Sequence, residues 1–321
     1  MKSPLEIKNI AKETIKLEMD AIAKMQDSIN DSFVEAIGLI LNSKGRLIVA
    51  GIGKSANIAN KLVATLNSTG QPAVFLHAAD AIHGDLGNIQ KEDVVLCISK
   101  SGNTPEIKAL LPFIKRMGNS IIGLTGNMQS FLAKESNIVL DVSVEKEACP
   151  NNLAPTSSTT AQLVMGDAIA VSLLACKNFT DKDFARFHPG GTLGKRLYLK
   201  LSDILAEDAN PMVSENASIN EVILEISKKR LGATAVINET ELKGIITDGD
   251  LRRMLEKGED YSSFVATDIM CSNPKTIDVD VLAFDALQLM EQHNISQLVV
   301  TKNAKYLGIV HIHEILKEGV V

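Results

Sequence analysis

Tryptophan is absent from this 321-residue chain, and aromatic residues of all kinds make up only 4% of it. That excludes an aromatic platform for stacking bases or sugar rings. Basic charge is also scarce: 33 Lys and Arg against 39 Asp and Glu leave a net charge of −6. No positive field draws nucleic acid, although a local pocket can still hold a small anion. Cys97, Cys149, Cys176 and Cys271 show neither metal nor disulfide spacing, which suits a reducing cytoplasm. The N-terminus, MKSPLEIKNIAKETIK, is too charged for a signal peptide. No apolar run approaches the roughly 20 residues that a membrane span needs. These absences predict a cytoplasmic protein with no membrane or nucleic-acid partner. The rest is ordinary: 45% hydrophobic and 22% charged residues in 34.6 kDa. That length is about twice the usual domain, so two compact domains are expected.

Leu5, Ile10, Ile15, Leu17, Ile22, Met25, Ile29, Phe33, Ile37 and Ile40 recur at helical spacings and predict one or two amphipathic helices. They read as an arm packed on a core or a partner; a helix-turn-helix lacks its Gly turn and basic recognition helix. Strand-length apolar runs follow at Arg46–Ala50, Ala73–Leu76, Val94–Ile98, Ser120–Leu124 and Ile138–Val142. Helical stretches at Ala56–Leu66 and Pro105–Met117 lie between them, and a long helix at Thr159–Ala175 follows, with Leu163, Val164, Ala168, Val171 and Leu174 expected on its buried side. The alternation predicts a parallel sheet covered on both faces, with its ligand beyond the carboxyl ends of the strands. Beyond residue 200 an internal repeat appears. Asp203-Ile204-Leu205 returns as Asp268-Ile269-Met270, and Gly244-Ile245-Ile246 as Gly308-Ile309-Val310. Each copy reads as helix, short strand, Gly-turn, strand, helix, and two such small copies are expected to share one core. The polar segment Ala206–Asn216 separates the first copy's opening from its long helix.

The strand-end loops carry the chemistry. Gly51-Ile52-Gly53-Lys54-Ser55-Ala56 is no Walker A loop, because Ile48 stands where that motif needs Gly. It fits G-x-G-x-x-A, but no acidic residue ends the second strand to hold a ribose. A Gly turn entering a helix, with Lys54 beside it, still favours an anion. Ser99-Lys100-Ser101-Gly102-Asn103-Thr104 ends the third strand, with Thr104 placed as N-cap and Pro105 at the first helical position. Two such cradles on neighbouring strands favour a phosphorylated small molecule over a dinucleotide. His77 and His83 lie in a polar loop after the second strand, either as structural residues or as contacts to substrate oxygens. Glu145-Lys146-Glu147-Ala148-Cys149-Pro150, the run Ala154–Thr160, and Phe187-His188-Pro189-Gly190-Gly191 are further loop candidates.

In this order GIGKS, HGDLG, SKSGNT, KEACP, LAPTSSTT and HPGG, followed by two CBS-like repeats, resemble the arabinose 5-phosphate isomerases. The resemblance spans roughly residues 5–321. It implies an α/β fold: a five-stranded parallel SIS sheet flanked by helices, then a tandem CBS pair of α+β type. The corresponding domains are 1–200, 201–262 and 263–321. It implies interconversion of D-ribulose 5-phosphate and D-arabinose 5-phosphate through an enediol, feeding Kdo and lipopolysaccharide synthesis, without a cofactor and in a homotetramer. It points to Lys54, Glu106, Glu147 and His188 as the catalytic set. Within that set, Glu147 is expected to be the C1/C2 base, its carboxyl tuned toward neutral pH in a partly dry loop. His188 is expected to open the ring and Lys54 to hold the enediolate or phosphate. Gly53, Ser55, His77, His83, Ser99, Ser101 and Thr104 are the implied substrate contacts, and His77 is a candidate for an inhibitory metal, though none is required. Thr247 and Asp250 match a CBS nucleotide pattern, implying a nucleotide or nucleotide-sugar effector, whereas His311 and Glu314 replace them in the second copy, which leaves a purely structural or assembly role of the pair equally open. A non-enzymatic sugar-phosphate sensor and an isomerase of sugar-alcohol catabolism are the competing readings.

Overall fold

The computed structural model describes residues 2–206, 210–239, 241–258 and 260–321. Its two compact units are Met1–Phe187 and His188–Val321. In the first, the five apolar runs form β1 (Leu47–Gly51), β2 (Ala73–His77), β3 (Val94–Ser99), β4 (Ile121–Thr125) and β5 (Ile138–Asp141). They pair in parallel in the order β2-β1-β3-β4-β5. Both faces are covered, which is why β1, β3 and β4 are buried along their whole length.

The helices of this unit are α1 (Pro4–Met25), α2 (Asp31–Asn42), α3 (Lys54–Ser68), α4 (Ala78–Ala81), α5 (Pro105–Met117), α6 (Phe131–Glu135), α7 (Ser157–Cys176) and α8 (Asp181–Phe187). The core on one face joins α2, α3 and α7 to the sheet through Phe33, Ile37, Leu62, Leu66, Met165 and Ile169. The other face packs Ile107, Leu110, Leu111 and Ile114 of α5 against Ile48, Val95 and Ile121.

One expectation needs correction. The buried face of α7 is Ala161, Met165, Ile169, Ala170 and Leu173, whereas Val171 is 60% exposed. A helix apolar almost all round offers no polar side to orient it, so periodicity could not choose the face. The close approach at Gly166, where a Cβ would stand 3.1 Å from Leu62, decides it instead. This 20-residue helix, with a mean hydropathy of 1.5, also passes for a membrane span by length and composition. Its packing into the sheet core marks it as an interior helix. In α1, by contrast, Met25 is the buried residue, while Leu5, Ile15 and Met19 each stay more than 60% exposed.

The second unit contains α9 (Thr192–Tyr198), α10 (Leu201–Ile204), β6 (Met212–Ser214), α11 (Ile219–Lys229), β7 (Ala233–Asn238), β8 (Glu241–Thr247) and α12 (Asp248–Glu256). The repeat supplies α13 (Ala266–Ile269), β9 (Thr276–Asp278), α14 (Ala283–His293), β10 (Gln297–Lys302), β11 (Lys305–His311) and α15 (Ile312–Lys317). Each copy forms its own three-stranded sheet, β6-β7-β8 and β11-β10-β9. The edge strands β6 and β9 escaped the sequence pattern because they are only three residues long. The expected single core is two cores that exchange their opening helices. Leu201 packs with Val279, Ala283 and Leu298, and Ala266 packs with Ile219, Val222 and Ile246. The repeated glycines are not in the turns either. Gly244 and Gly308 sit inside β8 and β11, opposite Val236 and Val300 beside a register shift. A Cβ on Gly244 would lie 2.7 Å from the Cys271 carbonyl oxygen. Residues 207–209 of the polar segment Ala206–Asn216 lie outside the described residues.

Candidate active site

The strand order reverses between β1 and β3, so their carboxyl ends flank the crevice where ligands bind in such sheets. After β1 the chain turns through Gly53 at φ +59°, which caps α3; the left-handed backbone, not space, is what asks for glycine there. Lys54 and Ser55 then open the helix. After β3 the loop is tied more tightly. Ser99 Oγ accepts the Gly102 N–H at 3.1 Å, and Ser101 Oγ accepts that of Asn103 at 3.3 Å. The Lys100 carbonyl accepts the Gly126 N–H at 3.0 Å. Thr104 holds the N-cap position of α5, but its hydroxyl makes no cap bond; Oγ1 is buried without a hydrogen-bond partner among the described residues.

These two loops and the start of α7 enclose a cavity of about 220 Å³. Lys54, Ser55, Ser99, Ser101 and Thr104 line it, and so do Lys100, Ser158 and Gln162, which are not among the implied site residues. The lining combines two ammonium groups, several hydroxyls and three helix N-termini, which suits a phosphorylated, hydroxylated ligand. Gln162 is 1% exposed, and neither of its amide atoms has a partner among the described residues. Its signal in the sequence was a lone amide on an apolar helix, and that of Lys100 a charge inside a hydroxyl loop.

Glu147 is buried behind this wall. The 147–156 loop folds around it, with the Glu147 N–H donating to Asn152 Oδ1 at 2.7 Å and the Ala148 N–H to Thr156 Oγ1 at 2.9 Å. Its Oε1 takes the Ser158 hydroxyl and the Lys100 ammonium, each at 2.5 Å. Its Oε2 takes the N–H groups of Thr156 and Ser158, at 2.8 and 3.1 Å, and the Thr156 hydroxyl at 3.2 Å. Burial alone would push this carboxyl up. Lys100, the Ser158 hydroxyl and the two N–H donors overcome it and hold the pKa at about 2. The expected tuning toward neutral pH is therefore reversed in this arrangement.

Glu106, His77 and His83 are not among the residues lining the cavity. Glu106 is half-buried in the first turn of α5. His77 ends β2 with Nδ1 3.3 Å from an Asp80 carboxylate oxygen, without hydrogen-bond geometry, and His83 is exposed. Among the described residues no three His, Cys, Asp or Glu side chains stand together as metal ligands would. His188 opens the second unit, where its carbonyl accepts the Gly191 N–H at 3.1 Å. Thr247 and Asp250 bond to each other as the cap of α12, Thr247 Oγ1 donating to Asp250 Oδ2 at 2.6 Å, and Arg253 holds Asp250 Oδ1 at 2.6 Å. In the second copy the His311 N–H donates to Glu314 Oε2 at 3.0 Å, so the replacing pair keeps the same capping role.

Comparison with known proteins agrees with this architecture. The SIS domain profile matches residues 40–172, and the CBS domain profile matches 201–257 and 265–320. The chain is 46% identical to the arabinose 5-phosphate isomerase KdsD of Pseudomonas aeruginosa over 100% of this chain and 99% of that protein. It is 42% identical to the KdsD of Escherichia coli K12 over 98% and 97%. Among solved structures, a protein of E. coli CFT073 in complex with arabinose 5-phosphate superposes with a TM-score of 0.57 at 40% identity, covering 59% of this chain and 100% of that one.

Proposed function

Because the chain belongs to the arabinose 5-phosphate isomerases, we propose that it interconverts D-arabinose 5-phosphate and D-ribulose 5-phosphate through an enediol, feeding Kdo synthesis. The observation that carries this reading is the junction of an anion cradle with a buried carboxylate: Glu147 is bonded to Ser158 and Lys100, both of which line the cavity. In this reading Ser99, Ser101, Thr104 and the N-terminus of α5 hold the phosphate. Thr104 Oγ1, buried without a partner among the described residues, suits that duty. Glu147 moves the proton between C1 and C2, and Lys54 faces the negative charge that develops on oxygen. His188 opens the furanose ring of the aldose and transfers protons between oxygens, Glu106 completes the catalytic set, and His77, His83, Gly53 and Ser55 complete the sugar contacts. Full-length likeness to proteins named as isomerases favours catalysis over a sensor. Copies associate as a homotetramer, a reading supported by the outward apolar residues Leu5, Ile15 and Met19 of α1.

The test is a coupled assay on the pure protein with arabinose, ribose, glucose and glucosamine phosphates, repeated with adenine and cytidine nucleotides to read any effector at the CBS pair. Turnover confined to the arabinose and ribulose phosphates is expected, and none with any sugar phosphate sinks the reading. Ser101→Ala is expected to raise KM about tenfold, the worth of one hydrogen bond to a charged group, with kcat nearly unchanged. Equal losses in kcat and kcat/KM would remove Ser101 from a ground-state phosphate role.

A further inference from the structure

We propose that Lys100 is a positioning residue that couples binding of the substrate's anionic end to the readiness of Glu147. In the free protein its ammonium neutralises the buried carboxylate. When the sugar phosphate binds, it swings to an oxyanion of the ligand and leaves Glu147 able to accept a proton. This rests on the isomerase reading above.

The geometry divides Lys100 into a fixed part and a mobile part. Its backbone is pinned between Ser99 and Ser101, with its carbonyl held by the Gly126 N–H and, at 3.4 Å, by Thr125 Oγ1. Its side chain is 45% exposed and lines the cavity, yet its Nζ reaches a carboxylate whose own side chain is fully buried. A flexible four-carbon stem carrying a compact charge can exchange one anion for another without moving the loop. The chemistry supplies the reason for the exchange. A carboxylate held near 2 is a feeble base at neutral pH, and proton transfer is most effective when the base titrates near the working pH. Burial still presses the Glu147 carboxyl upward, so loss of its strongest cation raises its proton affinity at the moment the substrate arrives. The C–H proton then passes to Glu147, the C–H electron pair becomes the enediolate double bond, and the carbonyl oxygen takes the negative charge. Transfer of the hydroxyl proton from the adjacent oxygen to this oxyanion, and return of the carbon proton from Glu147 to the neighbouring carbon, complete the cycle. Other charged or titratable groups nearby are Lys54 on the cavity side, and Lys2, Glu13, Lys146 and Cys149 around the second cavity that Glu147 borders. Lys100 is the one ion-paired to the carboxylate among the described residues.

Lys100→Met and Lys100→Arg are compared with wild type by initial rates from pH 4 to 9, with inorganic phosphate as a competitive probe. Lys100→Met is expected to raise KM and the phosphate inhibition constant about tenfold. It should also introduce an acid limb to kcat/KM, absent from wild type, because Glu147 now protonates more readily. Lys100→Arg, which keeps the charge, is expected to restore most of the phosphate affinity and to remove that limb. If Lys100→Met leaves the phosphate constant within twofold, or its pH profile overlays that of wild type, the coupling is wrong. Should Lys100→Met fail to fold with an unpaired Glu147, Lys100→Met/Glu147→Gln leaves no lone charge. Its phosphate dissociation constant by calorimetry must then rise above that of Glu147→Gln alone. Wild type inactive on every sugar phosphate defeats the isomerase reading; an active wild type beside an unaltered Lys100→Met defeats only this one.

Discussion

Glu147→Gln is expected to lose between ~10² and 10⁴-fold in kcat, the range that positioned acid–base groups contribute, together with exchange of the substrate C2 proton into solvent. The amide fills the same space but cannot take a proton, and one of its ends must present N–H to a nest of donors. Near-wild-type turnover with exchange intact would place the base elsewhere. Glu147→Ala separates structure from chemistry. Removing the carboxylate strands the N–H groups of Thr156 and Ser158, two hydroxyls and the Lys100 ammonium. Breaking a buried ion pair on one side costs about 3–5 kcal/mol, and the half-exposed Lys100 puts this case near the lower end. The same carboxylate sets an acid limit. Its pKa falls from 4.5 to about 2 in the folded state, so its contribution is present above pH 4.5 and is lost as pH falls toward 2. At most ~3 kcal/mol is at stake. Wild type should lose stability across that window more steeply than Glu147→Gln, measured by denaturant unfolding at each pH. Parallel curves would mean that the carboxylate is not held as described.

Gly102→Ala is expected to dismantle the phosphate cradle, raising KM more than a hundredfold and costing several kcal/mol of stability. Gly102 sits at φ +61°, where a Cβ costs roughly 1–2 kcal/mol before any contact is counted. That Cβ would stand 2.1 Å from Ser130 Oγ and 2.8 Å from Thr125 Oγ1. Neither neighbour can withdraw freely: Ser130 caps α6, accepting the Ala133 N–H at 3.2 Å, and Thr125 accepts that of Asn127 at 3.3 Å. The loop must shift, and with it the Ser99 hydroxyl that accepts the Gly102 N–H. Gly102→Ala/Ser130→Gly removes the worst clash but not the backbone penalty, so it should recover part of the melting temperature and part of KM. Full recovery would assign the whole effect to the clash, and an unchanged KM in the single variant would show that the cradle does not bind phosphate.

The sheet was legible because five short apolar runs, each bounded by a loop and a helix, admit little other than a covered parallel sheet. The α5 range Pro105–Met117 was legible to the residue, since Pro105 starts the helix and Gly118 at φ +83° ends it. Faces were harder. The burial of α7 depends on where Gly166 lets Leu62 approach, and the outward apolar stripe of α1 depends on what the rest of the chain leaves uncovered. The exchanged opening helices of the CBS pair were invisible for a similar reason: Leu201 and Ala266 fit either core by composition, and only the chain path assigns each to the other copy.

The sequence by itself determined the inventory: hydroxyls, glycines and lysines at strand ends, a duplicated CBS unit, and a scarcity of aromatics and of net positive charge. These follow from local spacing and composition, which a linear string records completely. Tertiary structure alone decided the electrical state of the site. Glu147 and Lys100 lie 47 positions apart in sequence. Whether a carboxylate is raised by burial or lowered by five donors depends on which groups arrive within hydrogen-bond distance. That is a property of three dimensions. It turned a carboxyl read as tuned toward neutrality into one held near 2, with its cation lining the cavity at the strand ends.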